Sequence, residues 1–136
     1  MNQVLLIEDN DDDIELAERA LERSGLAGEV CVARDGEDAL NRLFSRGPYA
    51  EVKDALPIQL ILLDLNLPKT SGLDVLRQIR LHPATRQIPV VVLTVSRKEP
   101  DLLQSFTMGI VDYLIKPLDP ERFSQIYRKY VRIPPS

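Results

Sequence analysis

Short apolar runs recur along the chain, each followed by an amphipathic stretch. Val4-Leu5-Leu6-Ile7 is a β-branched and leucine run of strand length. It is unbroken rather than alternating, as in a strand covered on both faces. Val30-Cys31-Val32-Ala33, Leu60-Ile61-Leu62-Leu63 and Val90-Val91-Val92-Leu93 repeat the pattern, and Tyr113-Leu114-Ile115 is a shorter fifth case. Between them lie helical spacings. Ile14, Ala17 and Leu21 form one stripe, closed by Gly25 where a glycine just past a helix belongs. Ala39, Leu40, Leu43 and Phe44 form a second, with Asp35 as N-cap and Gly47-Pro48 as terminator. Ser71-Gly72-Leu73-Asp74 has the form of a capping box ahead of Val75, Leu76 and Ile79. Leu102, Leu103 and Phe106 mark a fourth helix. Asp119-Pro120-Glu121 opens a fifth, with Phe123, Ile126, Tyr127 and Tyr130 as its stripe and Pro134-Pro135 as its stop.

Five β-α units in strict alternation predict an α/β fold, a parallel sheet with helices on both faces. Right-handed crossovers make that sheet doubly wound. The 136 residues suit one domain, with its core over about 3–131, and no effector domain is expected after it. The stretch from about Ser45 to Ile58 has no strong period and reads as a surface insertion.

Composition narrows the function classes. The 17 basic and 21 acidic residues give a net charge of −4, which argues against nucleic acid or an anionic membrane as partner. One cysteine excludes an internal disulfide, and one histidine excludes a multi-histidine metal site. No apolar run approaches the ~18 residues of a membrane span, and the N-terminus lacks a signal-peptide pattern, so the expected location is cytoplasmic. There is no G-x-x-x-x-G-K-[ST] and no G-x-G-x-x-G, so nothing supports a nucleotide site.

Ligands of open α/β sheets bind beyond the carboxyl ends of the strands. Glu8, Asp9 and Asn10 follow the first run, Asp64, Leu65 and Asn66 the third, Thr94 the fourth and Lys116 the fifth. Glu8, Asp9 and Asp64 would bring three carboxylates together, a repulsive group that needs a cation or an ammonium. Oxygen-only ligands select a hard cation, Mg²⁺ or Mn²⁺. Lys116 supplies the ammonium. Asp64 carries most weight, because it directly abuts a buried strand where an unpaired charge is costly. Asp11, Asp12 and Asp13 read as N-cap and first-turn acids of the first helix. His82, beside Pro83, reads as exposed, and Cys31 as a buried small hydrophobe.

Taken in order, Glu8-Asp9, Asp64, Thr94 and Lys116-Pro117 resemble the signature of response-regulator receiver domains of two-component signalling. The likeness runs from about Gln3 to Val131, and Leu62-Leu63-Asp64-Leu65-Asn66-Leu67-Pro68 followed by Gly72 is similar to the family's phosphorylation loop. The segment before the third run, and Arg86 to Thr94, resemble the small stand-alone regulators that partner phytochrome-type histidine kinases. The resemblance implies a flavodoxin-like (βα)5 three-layer sandwich with strand order 2-1-3-4-5. It implies Asp64 as phosphoacceptor from a sensor histidine kinase, with Mg²⁺ held by Asp9, Asp64, the Asn66 backbone carbonyl and, through water, Glu8. Lys116 and Thr94 would contact the phosphoryl group, Tyr113 would move inward behind Thr94, and Pro117 would follow a cis peptide. Output would be a change of conformation, read on the face of the fourth helix, fifth strand and fifth helix, where a homodimer is expected. Val95, after Thr94, is larger than the small residue usual there and is expected to crowd the phosphoryl site. Two other readings stand beside this one. A Mg²⁺-dependent phosphatase or phosphotransferase of the D-x-D type would need a second acid where Asn66 stands. A phosphorylation-independent binding module would keep its binding after Asp64→Asn.

Overall fold

The computed structural model describes residues 3–25, 29–50 and 58–131. In chain order its elements are β1 (Gln3–Ile7), α1 (Asp11–Arg23), β2 (Glu29–Ala33), α2 (Gly36–Leu43), β3 (Ile58–Asp64), α3 (Gly72–Leu81), β4 (Val90–Thr94), α4 (Pro100–Thr107), β5 (Asp112–Ile115) and α5 (Pro120–Tyr130). A single 3₁₀ turn, Gly47–Tyr49, lies between α2 and β3. The five strands form one sheet in the order β2-β1-β3-β4-β5, with every pairing parallel. The unbroken apolar runs explain why both faces are covered. Leu5, Ile7, Ile61, Leu63, Val90 and Val92 pack under α2, α3 and α4, while their neighbours Val4, Leu6, Leu60, Leu62, Val91 and Leu93 pack under α1 and α5. Alternate residues of each strand thus serve opposite layers.

The helix ends follow their capping residues. The Asp35 side chain accepts from the Asp38 N–H, Ser71 from Asp74 and Asp119 from Glu121, each as N-cap. Gly25 closes α1 with φ +69°, in the left-handed region. The sequence reading of α1's start is corrected: Asn10 is the N-cap, accepting from the Asp13 N–H, and Asp11, Asp12 and Asp13 fill the first turn. The end of α2 also differs. Ser45 already takes a left-handed φ of 53°, two residues before Gly47, and the Arg46 N–H returns to the Asn41 carbonyl at 2.7 Å and the Ser45 N–H to the Arg42 carbonyl at 3.4 Å. That two-bond closure stops the helix before Gly47-Pro48, which opens the 3₁₀ turn instead. Phe44 becomes the C-cap of α2 and stacks on exposed His82, ring centroids 4.1 Å apart.

Two further differences trace to position in the sheet. Cys31 is half-buried rather than buried, because β2 is an edge strand, and its Sγ accepts from Arg42 at 2.9 Å. In α4 only Leu102 and Ser105 face the sheet, so Leu103 and Phe106 turn outward. The connection after Ala50 and the Pro134-Pro135 terminus lie partly or wholly outside the described residues. Among those described, no helix is long and apolar enough to cross a membrane.

Candidate functional site

Parallel register brings the carboxyl ends of four strands level. Ile7 pairs with Leu63, Asp64 with Leu93 and Thr94 with Ile115, so Glu8, Asp64, Thr94 and Lys116 emerge at one edge. Two backbone bonds fix the outer members: the Glu8 N–H donates to the Ala33 carbonyl at 2.9 Å, and the Lys116 N–H to the Thr94 carbonyl at 2.8 Å. The Lys116–Pro117 peptide is cis, as the family likeness implied.

Lys116 is the centre of the site. Its Nζ donates to Glu8 Oε1 at 2.5 Å, Asp64 Oδ2 at 2.8 Å and Asp13 Oδ2 at 3.0 Å. Glu8 and Asp64 are almost fully buried, at 1% and 5% exposure. The other Asp64 oxygen, Oδ1, accepts from the Asn66 N–H at 2.9 Å, so both oxygens of that carboxylate are oriented. Glu8 Oε2 takes the Asp9 N–H at 3.1 Å, while the Asp9 side chain faces outward. One carboxylate oxygen from each of Glu8, Asp9 and Asp64 lies within 4.8 Å of the others.

The loop after β3 holds Asp64 in place through a close backbone approach. The Gly72 N–H donates to the Leu65 carbonyl at 3.1 Å. A Cβ at position 72 would sit 2.5 Å from Leu65 Cα and 2.7 Å from the Asp64 carbonyl oxygen. Those are backbone atoms and have nowhere to go. Gly72→Ala is therefore expected to destabilise the fold by about 2–3 kcal/mol, read as a lower urea midpoint. An unchanged midpoint would show that the loop has slack.

Burial pushes the Glu8 carboxyl up, and the adjacent Asp64 carboxylate adds to it against the pull of Lys116, so that Glu8 reaches about 8. Burial also acts to raise Asp64, but the hydrogen bonds from Glu8, Lys116 and the Asn66 N–H outweigh it and hold Asp64 below its ordinary value. Burial works to lower Lys116, and its carboxylate partners outweigh that and hold it above its ordinary value. Without a metal, one proton on the Glu8–Asp64 pair and one ammonium offset the crowded negative charge.

Thr94 and Tyr113 are arranged differently from the acids. The Thr94 hydroxyl is buried and donates to the Ser96 carbonyl at 2.9 Å rather than pointing at a carboxylate. Tyr113 is half-buried, with its ring edge-on to Phe106 at 6.0 Å and 88°. Val95 is 61% exposed. The residue that sequence reasoning missed is Asp13. Its signal was its place at the top of the buried Ile14, Ala17 and Leu21 stripe, which aims the first turn of α1 at the strand ends.

A doubly wound parallel sheet with an acidic, lysine-braced pocket at its carboxyl edge is the arrangement of a receiver module. The chain belongs to the response regulator receiver domain family, whose model matches residues 4–128. It is 40% identical over 113 residues to the response regulator Rcp1 of Synechocystis sp., covering 83% of this chain and 75% of that protein. Among solved structures it is similar to the bacteriophytochrome response regulator RtBRR, with TM-score 0.87, 40% identity, and coverage of 98% of this chain and 80% of that one. It also resembles the phosphorylated cyanobacterial phytochrome response regulator RcpA, with TM-score 0.76, 39% identity, and 93% and 89% of the two chains covered. Rcp1 itself has been solved in a Mn²⁺-bound form, with TM-score 0.74 and 36% identity over 93% of this chain and 89% of that one.

Proposed function

We propose that the protein is a response regulator whose Asp64 accepts a phosphoryl group from a sensor histidine kinase of the phytochrome type. The observation that carries this is the oriented Asp64 carboxylate, held at 2.8 Å by Lys116 and grouped with Glu8 and Asp9. An Asp64 oxygen attacks phosphorus, a P–O bond forms, the P–N bond to the kinase histidine breaks, and the imidazole leaves with the bonding pair. Lys116 turns a donor onto a phosphoryl oxygen as a point charge. The Thr94 hydroxyl leaves the Ser96 carbonyl for another phosphoryl oxygen, and Tyr113 follows into the space behind it.

The trio of oxygen ligands, two of them buried, fits a hard divalent cation. Asp9 and Asp64 would ligate it directly, with the Asn66 carbonyl, and Glu8 through water. When bound, Mg²⁺ neutralises charge on the transferring phosphoryl group. Glu8 keeps its proton up to about 8, so cation binding must displace it. Mg²⁺ affinity measured by calorimetry is expected to rise with pH and level off above about 8, falling by up to about tenfold per pH unit below. A flat profile from pH 6 to 9 would contradict this.

For output we propose a homodimer through α4, β5 and α5. Leu103, Phe106 and Ile115 are exposed there, at 67%, 47% and 40%. Sedimentation is expected to show dimers that Leu103→Asp dissociates. A monomer at high micromolar concentration, with and without phosphorylation, would count against it.

The function is tested by phosphotransfer. A phytochrome-type histidine kinase labelled with radioactive ATP is mixed with this protein. Label should move to the wild type and stay on the kinase when the acceptor is Asp64→Asn. Label that never leaves the kinase, or that reaches both proteins alike, would overturn the assignment.

A further inference from the structure

Lys116 has three ammonium hydrogens, and all three are engaged by carboxylates. Two of those partners, Glu8 and Asp64, also belong to the group able to hold a cation. The third, Asp13, does not. It comes from the first turn of α1, is about one-third exposed, and reaches Lys116 at 3.0 Å across 103 positions of sequence. A first-turn acid acting only on the helix dipole would not need that partner. Asp12, one residue earlier in the same turn, is exposed and shows no such bond.

We infer that Asp13 is a positioning residue for phosphoryl capture: it is the fixed partner that keeps the Lys116 ammonium in the site while its other partners are reassigned. This rests on the reading of Asp64 as phosphoacceptor. Once Asp64 carries a phosphoryl group, one of its oxygens is bonded to phosphorus in an acyl phosphate. Glu8 is drawn toward any bound cation, which also repels the ammonium. Asp13 lies outside both events. Its carboxylate holds Lys116 on the side of α1, where Leu16, Ala17, Leu93 and Leu118 border the cleft around it. With Asp13 in place, turning a donor to the phosphoryl oxygen is a short pivot about a retained bond. Without it the ammonium is free to follow its four-carbon stem into solvent, and the transition state loses its aligned charge.

The test compares wild type, Asp13→Ala, Asp13→Asn and Asp12→Ala at saturating Mg²⁺. Phosphorylation by acetyl phosphate should slow about tenfold in Asp13→Ala, the loss that goes with one charge-assisted hydrogen bond. Asp13→Asn keeps an acceptor but loses the charge and should fall between. Asp12→Ala removes the same helix-dipole charge and should match wild type. The second readout is the ¹⁹F spectrum of the protein loaded with beryllofluoride, a phosphoryl mimic. The resonance of the fluorine facing Lys116 should move in both Asp13 variants and stay put in Asp12→Ala. A role confined to helix stability would not move it. Rates and spectra for both Asp13 variants equal to those of Asp12→Ala would overturn the inference, and Asp13→Asn, nearly isosteric, decides the matter should Asp13→Ala fail to fold. Wild type that takes up neither acetyl phosphate's phosphoryl group nor beryllofluoride would instead refute the phosphoacceptor reading, and this inference with it.

Discussion

Asp64→Asn is expected to abolish phosphoryl uptake while leaving the fold intact. The amide keeps the shape of the carboxylate and its bond from the Asn66 N–H, which now holds Asp64 Oδ1 at 2.9 Å. It removes one negative charge from a group in which Glu8, Asp9 and Asp64 crowd together. Stability should therefore change by no more than about 1 kcal/mol, since the lost pairing with Lys116 is offset by relief of repulsion. Reactivity is another matter. An amide oxygen is a far poorer nucleophile than a carboxylate, and loss of a nucleophile costs on the order of 10³-fold or more. A phosphate-affinity gel after incubation with acetyl phosphate and Mg²⁺ should show a shifted band for wild type alone. A shifted band in the variant would move the acceptor elsewhere.

The second large effect concerns Lys116. Its side chain is 15% exposed, and its Nζ bridges two acids that are nearly out of water. Lys116→Ala leaves those acids facing each other. The phosphorylation rate should fall about 10²–10³-fold, the range for removing a donor from developing negative charge. Stability should fall as well, by about 3 kcal/mol at pH 9 in the metal-free protein. The loss is smaller at pH 6, and the sign follows from Glu8. Its carboxyl is raised to about 8, so the folded state holds a proton that the unfolded chain releases near the ordinary glutamate value. The associated stability is present at low pH and is lost as pH rises through about 8. At pH 6 a proton shared by Glu8 and Asp64 partly stands in for the missing ammonium, whereas above about 8 the wild type relies on Lys116, which the variant lacks. Equal losses at both pH values would show that the acids are not coupled in this way.

The fold was legible because its strands are unbroken apolar runs. Leu60-Ile61-Leu62-Leu63 and Val90-Val91-Val92-Leu93 have the length and composition of strands covered on both faces, and both runs are buried strands with helices between them. The site was legible because parallel strands deliver the residues that follow them to one edge, and Glu8, Asp64, Thr94 and Lys116 all hold that place. What stayed hidden depends on rotation about a helix axis or on tertiary partners. In α4, only eight residues long, Leu102 and Leu103 are equally apolar, and packing alone decides that Leu102 is buried and Leu103 exposed. Asp11, Asp12 and Asp13 are identical in type, and only the seating of α1 on the sheet face it shares with α5 singles out Asp13 for Lys116. The Thr94 hydroxyl donates to the Ser96 carbonyl and accepts from the Ser96 N–H, a local closure that residue spacing does not reveal. The D-x-D phosphatase reading remains without its second acid, since position 66 is an exposed asparagine whose backbone, not its side chain, touches Asp64.

Asp64 is expected to carry a Mg²⁺-dependent acyl phosphate. The most direct measurement is intact mass after incubation with acetyl phosphate, with and without Mg²⁺, followed by borohydride reduction and peptide mapping. One phosphoryl adduct is expected, formed only with Mg²⁺, with the reduced residue at position 64. No adduct, an adduct indifferent to the cation, or a reduced residue elsewhere would contradict it.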